Sequence, residues 1–354
     1  MQSNIGILYA LLAAFLFGAS TPFAKLLIGH ISPLLLAGLF YLGSGLGLGA
    51  WLILRRWLRP AGTANATLTM RDAPWLAGAT VAGGIAGPVL LMTGLAQVPA
   101  SSASLLLNLE VVFTALLAWF VFHEHFDRRI LLGMGLIVLA GAILSWDNTA
   151  AGVAAGVPWG ALLIAAACLC WALDNNLTRK ISASDAVQIA AVKGLAAAAV
   201  NLGIAWWLQL PMPGAGAIGA ATVVGFCGYG LGLVLFVVAL RHLGTGRTSA
   251  YFSAAPFAGA ALSLLMLGDQ PGPLFWIAAL LMCAGIWLHL TEQHGHPHRH
   301  SRMAHSHSHR HDAHHQHAHD FDWDGTEPHV HPHVHEPLTH EHPHFPDIHH
   351  RHRH

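Results

Sequence analysis

The chain has 354 residues, of which 54% are hydrophobic and only 10% charged, and its formal net charge is zero. Soluble domains carry about a quarter charged residues, so this apolar excess excludes a single soluble core and requires many membrane spans. The neutral balance leaves no basic face for nucleic acid. Cys168, Cys170, Cys227 and Cys283 all fall in apolar stretches without disulfide-framework spacing, and read as inert buried thiols.

Ten apolar runs have spanning length: Asn4–Ile28, Pro33–Leu54, Trp75–Leu95, Ser101–Phe122, Ile130–Trp146, Pro158–Leu177, Ala186–Leu210, Ile218–Leu240, Ser249–Leu267 and Pro273–Leu290. The first lacks the basic leader of a cleavable signal peptide and reads as a span. Pro22, Pro88 and Pro256 are expected to kink their helices. With the amino terminus inside, Arg55, Arg56, Arg59, Arg71, Arg128, Arg129, Arg179, Lys180, Arg241 and Arg247 share the cytoplasmic side, and only Lys25 lies outside. That asymmetry predicts a cell-membrane protein with both termini in the cytoplasm. Gly43, Gly45, Gly47 and Gly49 in the second run, and Gly228 with Gly232 in the eighth, read as sites of close helix packing.

The runs repeat. Leu95–Glu124 (LAQVPASSASLLLNLEVVFTALLAWFVFHE) aligns without gaps on Leu240–Asp269 (LRHLGTGRTSAYFSAAPFAGAALSLLMLGD), placing Ser104 over Ser249 and Glu124 over Asp269. Five spans per copy is an odd number, so the copies are inverted across the membrane, a transporter architecture with its site at the repeat interface. The doubled pattern, seen best in Ala100–Trp119, resembles the EamA-type transporters of the drug/metabolite transporter superfamily. So do the acidic Glu124 and Asp269 at span ends and the helix-ending segments Phe17–Lys25 and Trp171–Arg179. The resemblance covers about residues 4 to 290. It implies an all-α membrane protein of ten helices in two inverted five-helix repeats, exporting or exchanging small metabolites, often amino acids. The copies are expected at 1–147 and 156–291, followed by a tail from 292 to 354. Pro256 fits the family's fourth-helix proline in the second copy, whereas Val111 stands there in the first, directly after Glu110.

The apolar middle holds few ionisable groups. Glu110 lies in the fourth run, Asp174 in the sixth and Lys193 in the seventh. A charge at mid-span costs at least ~2.5–3.5 kcal/mol. One reading is structural: Lys193 pairs with Glu110 or Asp174 and ties the copies together. The other counts charges: two acids and one base leave an acid free for a proton or a cationic substrate group. Asn175, Asn176 and Asn201 are further candidates for substrate contact or proton coupling, with Asn108 and Gln97 weaker ones. Asp174, Asn175 and Asn176 are consecutive and cannot share one helix face, so the helix either opens there or is capped. Trp171, Trp206 and Trp207 read as interfacial anchors, and Glu124 and Asp269 as solvated or salt-bridged helix ends.

From Gln293 the composition changes, and most of the 28 histidines follow. Scattered apolar residues cannot form a core, so disorder is expected. His305, His307, His309 and His311, with His329, His331, His333 and His335, are candidate ligands for zinc, nickel, cobalt or copper. No cofactor is required. No enzyme constellation is present: no Ser-His-Asp spacing, HExxH or phosphate loop. The expected function is a secondary transporter exporting a small polar metabolite such as an amino acid across the lipid bilayer. The alternative is efflux of divalent transition metals gathered by the tail. The sequence fixes no oligomeric state.

Overall fold

A computed structural model describes residues 2–58, 68–122, 128–150, 158–181, 184–243, 248 and 251–290, and four strands of the tail. Contacts divide the chain into a unit Met1–Glu292 and a unit Gln293–His354.

The first unit is helical. Its elements are α1 (Gln2–Ile28), α2 (Pro33–Leu58), α3 (Ala73–Leu95), α4 (Ala100–Leu106 continued by Leu109–Phe122) and α5 (Arg128–Ala150). They continue with α6 (Trp159–Arg179), α7 (Ala186–Trp207), α8 (Ala215–Gly225, Phe226–Leu231 and Gly232–Leu243), α9 (Ala255–Leu267) and α10 (Pro273–Leu290). Eight helices among the described residues are long and apolar enough to cross a membrane, and the last two are shorter. The ninth run was expected to be one helix from Ser249; residues 251–252 are helical, the chain turns at 253–254 just before Pro256, and α9 then runs from Ala255. Large apolar side chains are turned outward, with Leu265 82% and Leu280 71% exposed. The bundle thus presents an oily exterior, as lipid-facing helices do.

Packing follows the repeat. α1 lies against α8 and α9, and α6 correspondingly against α3 and α4; α2 packs on α7, and α5 on α10. The α2–α7 crossing is close because Gly45 and Gly194 face each other: a Cβ on Gly194 would lie 3.0 Å from the Gly45 Cα. Removing side chains where backbones meet is how membrane helices gain van der Waals contact.

Two irregularities were not expected. Thr80–Ala86 in α3 and Phe226–Leu231 in α8 are π-helical, at equivalent places in the two copies. In α3, the Gly87 N–H bonds Ala82 O in the π-helical register and Pro88 has no N–H, so the carbonyls of Gly83 and Gly84 lose their ordinary helical partners.

Each end of the bundle has its own polar ties. At one end, the Lys25 Nζ donates to the carbonyls of Leu95 (2.6 Å) and Val98 (2.7 Å), satisfying the end of α3. Asp269, expected to be a solvated or salt-bridged end, instead accepts from the Ser101 N–H (3.0 Å) and hydroxyl (2.7 Å), capping α4 from the other copy. At the opposite end, Arg55 pairs with Asp185, which also caps α7 by accepting from the Val187 N–H at 2.9 Å. Glu124 lies outside the described residues.

In the tail, where disorder was expected, the described residues are paired strands: His294–His300 runs antiparallel to Leu338–His344, and Met303–His309 to His329–His335. Extended pairing satisfies backbone groups without a hydrophobic core, and residues alternating as His-x-His suit its period of two.

Candidate functional site

The site starts from the breaks in the helices. α4 is interrupted at Leu107 and Asn108, so Glu110 falls in the first turn of its second piece. The positive end of the helix dipole favours a carboxylate there. Glu110 Oε1 accepts from Asn175 Nδ2 of α6 at 2.7 Å, a bond that remains accessible rather than packed away.

One residue back along α6, Asp174 forms an ion pair with Lys193 of α7, and both side chains are largely buried. The Thr178 hydroxyl donates to the second oxygen of Asp174 at 3.0 Å. Of the two pairings the sequence allowed, the structure takes Asp174–Lys193 and leaves Glu110 with a neutral partner. Gly83, in the π-helical turn of α3, makes room for this pair: a Cβ there would collide with the Asp174 carboxylate.

The freed carbonyls of α3 are held by side chains. Gly83 O accepts from the Tyr41 hydroxyl (2.7 Å) and from Trp171 Nε1 (3.1 Å), and Gly84 O from Asn201 Nδ2 (3.2 Å). Asn201 is fully buried, and its role in the geometry is to hold α3. Asn176 is not brought to the others; its amide donates to Ala172 O of its own helix at 2.8 Å. α6 neither opens nor is capped at these three residues. It stays helical to Arg179, and the three side chains diverge to three partners. Gln97 sits at the far end of α3, bonded to Thr93 O at 3.2 Å.

Aromatic rings surround this polar set. Phe17 of α1 lies 5.6 Å from Tyr229 and from Phe252 and 6.4 Å from Trp171, and Tyr229 packs on Tyr41 at 5.5 Å between ring centroids. Trp171 was expected at the interface and is instead a core residue, 7% exposed, because Gly83 O offers its indole N–H a partner inside. Trp206 and Trp207 are 83% and 77% exposed, as anchors would be. The sequence reading missed Phe17, Tyr41, Gly83 and Tyr229. A signal was present for two of them: Phe17 aligns with Trp171 between the helix-ending segments, and Gly83 with Gly84 precedes Pro88.

The cysteines are free; Cys168 is buried as expected, whereas Cys283 is exposed on the apolar surface of α10. Among the described residues no group of three or more His, Cys, Asp or Glu is arranged to hold a metal ion. Of the tail candidates, His305, His307 and His309 lie in one strand and His329, His331, His333 and His335 in its partner; His311 is outside the described residues.

What the bundle resembles agrees with its sequence pattern. A solved crystal structure superposes with a TM-score of 0.59 at 19% identity, over 81% of this chain and 95% of that one, which shows a shared fold. A protein of Methanothermobacter thermautotrophicus described as an uncharacterized transporter is 26% identical over 304 residues, 81% of this chain and 87% of the relative. The model of the EamA-like transporter family matches residues 4–146 and again 158–291. With two copies of that model filling the helical unit, the chain belongs to the EamA-like transporter family of membrane proteins.

Proposed function

We propose that this chain is a secondary transporter that exports a small polar metabolite, such as an amino acid, by alternating access across the cell membrane. The observation that carries this reading is the division of charge in the middle of the bundle. Lys193 neutralises Asp174, and Glu110 is left facing an amide, with its bond to Asn175 open to access. A carboxylate so placed in a membrane binds a proton or a cationic group. The Asp174–Lys193 pair offers both signs beside it, which suits a zwitterion. Breaks in α3, α4 and α8 put irregular backbone around these groups, as at the midplane sites of inverted-repeat carriers. Both termini lie in the cytoplasm in this reading, since Arg55 and Lys180 share the end opposite Lys25. The test is counterflow in proteoliposomes with Glu110→Gln, Asp174→Asn and Lys193→Ala proteins. Loss of coupling or affinity is expected for each, and unchanged transport by all three would refute the assignment.

A second reading, transition-metal efflux, draws on the tail. The strand registers set histidine opposite histidine: His305 to His333, His307 to His331 and His309 to His329, and also His294 to His344, His296 to His342 and His298 to His340. Zinc, nickel, cobalt or copper would suit such imidazole pairs. Metal tolerance of cells carrying the chain without Gln293–His354 separates the two readings: lost resistance favours metal as cargo, and unchanged resistance favours the metabolite.

A further inference from the structure

We propose that Asn108 is a positioning residue for Glu110, doing in the first copy what Pro256 does in the second. Both fourth helices of the repeat break within one residue of the same place: α4 turns at residues 107–108, and the chain entering α9 turns at 253–254, one position further along the repeat. Proline is the usual cause of such a break because it lacks an N–H and collides with the preceding turn. Pro256 sits in the first turn of α9, but its counterpart is Val111, whose N–H is intact and donates to Asn108 O at 3.1 Å. The break in α4 therefore needs another cause.

Asn108 supplies it. The residue is 1% exposed, and its Nδ2 donates to Leu105 O at 3.0 Å. The same carbonyl also accepts from the Asn108 backbone N–H at 3.0 Å. In a continuous helix Leu105 O would serve the N–H of Leu109. Two donors from Asn108 occupy it instead, and the turn tightens: Leu107 N bonds Ser104 O, and Glu110 N bonds Leu107 O, each three residues back. A side chain that competes with the helix for a backbone carbonyl is how asparagine ends helices elsewhere. The amide orientation is fixed, since a carbonyl can only accept. Its other atom, Oδ1, is buried without a partner among the described residues, while Nδ2 also touches Met282 Sδ at 3.6 Å. A leucine of similar size would avoid that unsatisfied acceptor, so the donor half is the part the fold uses. Its effect is to start a new helix one residue before Glu110 and turn that carboxylate toward Asn175.

The experiment reads geometry. In a protein whose four native cysteines are replaced, Glu110→Cys and Asn175→Cys are joined by a short bis-thiosulfonate reagent, and the yield is measured. Asn108→Leu is expected to lower the yield by roughly tenfold as the helix closes over the break, and adding Val111→Pro to Asn108→Leu is expected to restore it. A merely space-filling role for Asn108 would not be repaired by a proline three residues away. An unchanged yield in Asn108→Leu overturns the proposal, as does a double variant that stays low. If Asn108→Leu alone does not fold, a folded, cross-linking double variant sustains the proposal and an unfolded one overturns it. The importance of Glu110 to transport rests on the function proposed above. The cross-link needs no transport, so failure of one idea is distinguishable from failure of the other.

Discussion

Gly83 and Gly228 hold the same position in the two copies, each inside the π-helical segment of a third helix, and what meets them differs. Gly83 faces Asp174 of α6, whereas a Cβ on Gly228 would lie 2.9 Å from the Cβ of Ser20 in α1. Asp174 and Ser20 are themselves equivalent, since Phe17–Lys25 and Trp171–Arg179 align. The same backbone device is thus built twice, but only one copy of it carries charge. Glu110 likewise has Ala255 as its counterpart, and Asn175 has Thr21. The repeat supplies bends and close crossings on both sides; the chemistry is placed on one. Proline shows the same freedom. Pro88 accompanies the π segment of the first copy and Leu233 stands there in the second, while Pro256 marks the break of the second and Val111 stands there in the first. Backbone shape persists through different local causes, because the packing of ten helices rewards the shape rather than the residue that makes it.

This contrast breaks most readily at the charged copy. Lys193→Ala strands a buried Asp174 and is expected to destabilise by about 3–5 kcal/mol. Ser20→Ala, which loses the uncharged bond to Phe17 O at 2.6 Å, should cost about 0.5–1.5 kcal/mol. Thermal unfolding of the detergent-solubilised proteins, followed by tryptophan fluorescence, compares them; equal losses would dissolve the asymmetry. Adding Asp174→Asn to Lys193→Ala should recover a large part of the loss.

The glycines sharpen the comparison. Gly83→Ala pushes into a carboxylate fixed by Lys193 and Thr178 and should cost about 1–3 kcal/mol, with loss of transport. Gly228→Ala meets the Ser20 Cβ at 2.9 Å and the Leu16 carbonyl at 3.3 Å, milder overlaps than at Gly83, and should cost less in the same assay. Away from both copies' centres, Asp185→Ala removes the cap of α7 as well as the tie to Arg55. About 1 kcal/mol is expected, with substrate affinity unchanged in binding measurements. Smallest of all, Trp206→Phe and Trp207→Phe alter exposed rings and should stay within ~0.5 kcal/mol. A large loss in either would mean that these anchors do more than sit at an interface.

Much was legible before any coordinates. Run length and the scarcity of charge set the helical membrane class, because a bilayer leaves backbone groups no partner except their own helix. The gapless match of Leu95–Glu124 to Leu240–Asp269 set the repeat, and a mid-span charge needs a reason wherever it occurs, which singled out Glu110, Asp174 and Lys193. Hydropathy cannot say which acid the lysine takes, since that depends on which helix faces meet. Nor could it foresee that Trp171 turns inward, that Asn176 spends its amide on its own helix, or that Asp269 caps α4. Each of these answers to a partner distant in sequence: Gly83 O for Trp171, Ser101 for Asp269. By itself the sequence determined the spans, the doubling and the candidate charges, because these follow from transfer free energy and pattern. Only the tertiary structure decided the pairing of Asp174 with Lys193 and of Glu110 with Asn175, because hydrogen bonds and ion pairs need atoms within about 3 Å, and chain order does not fix that distance.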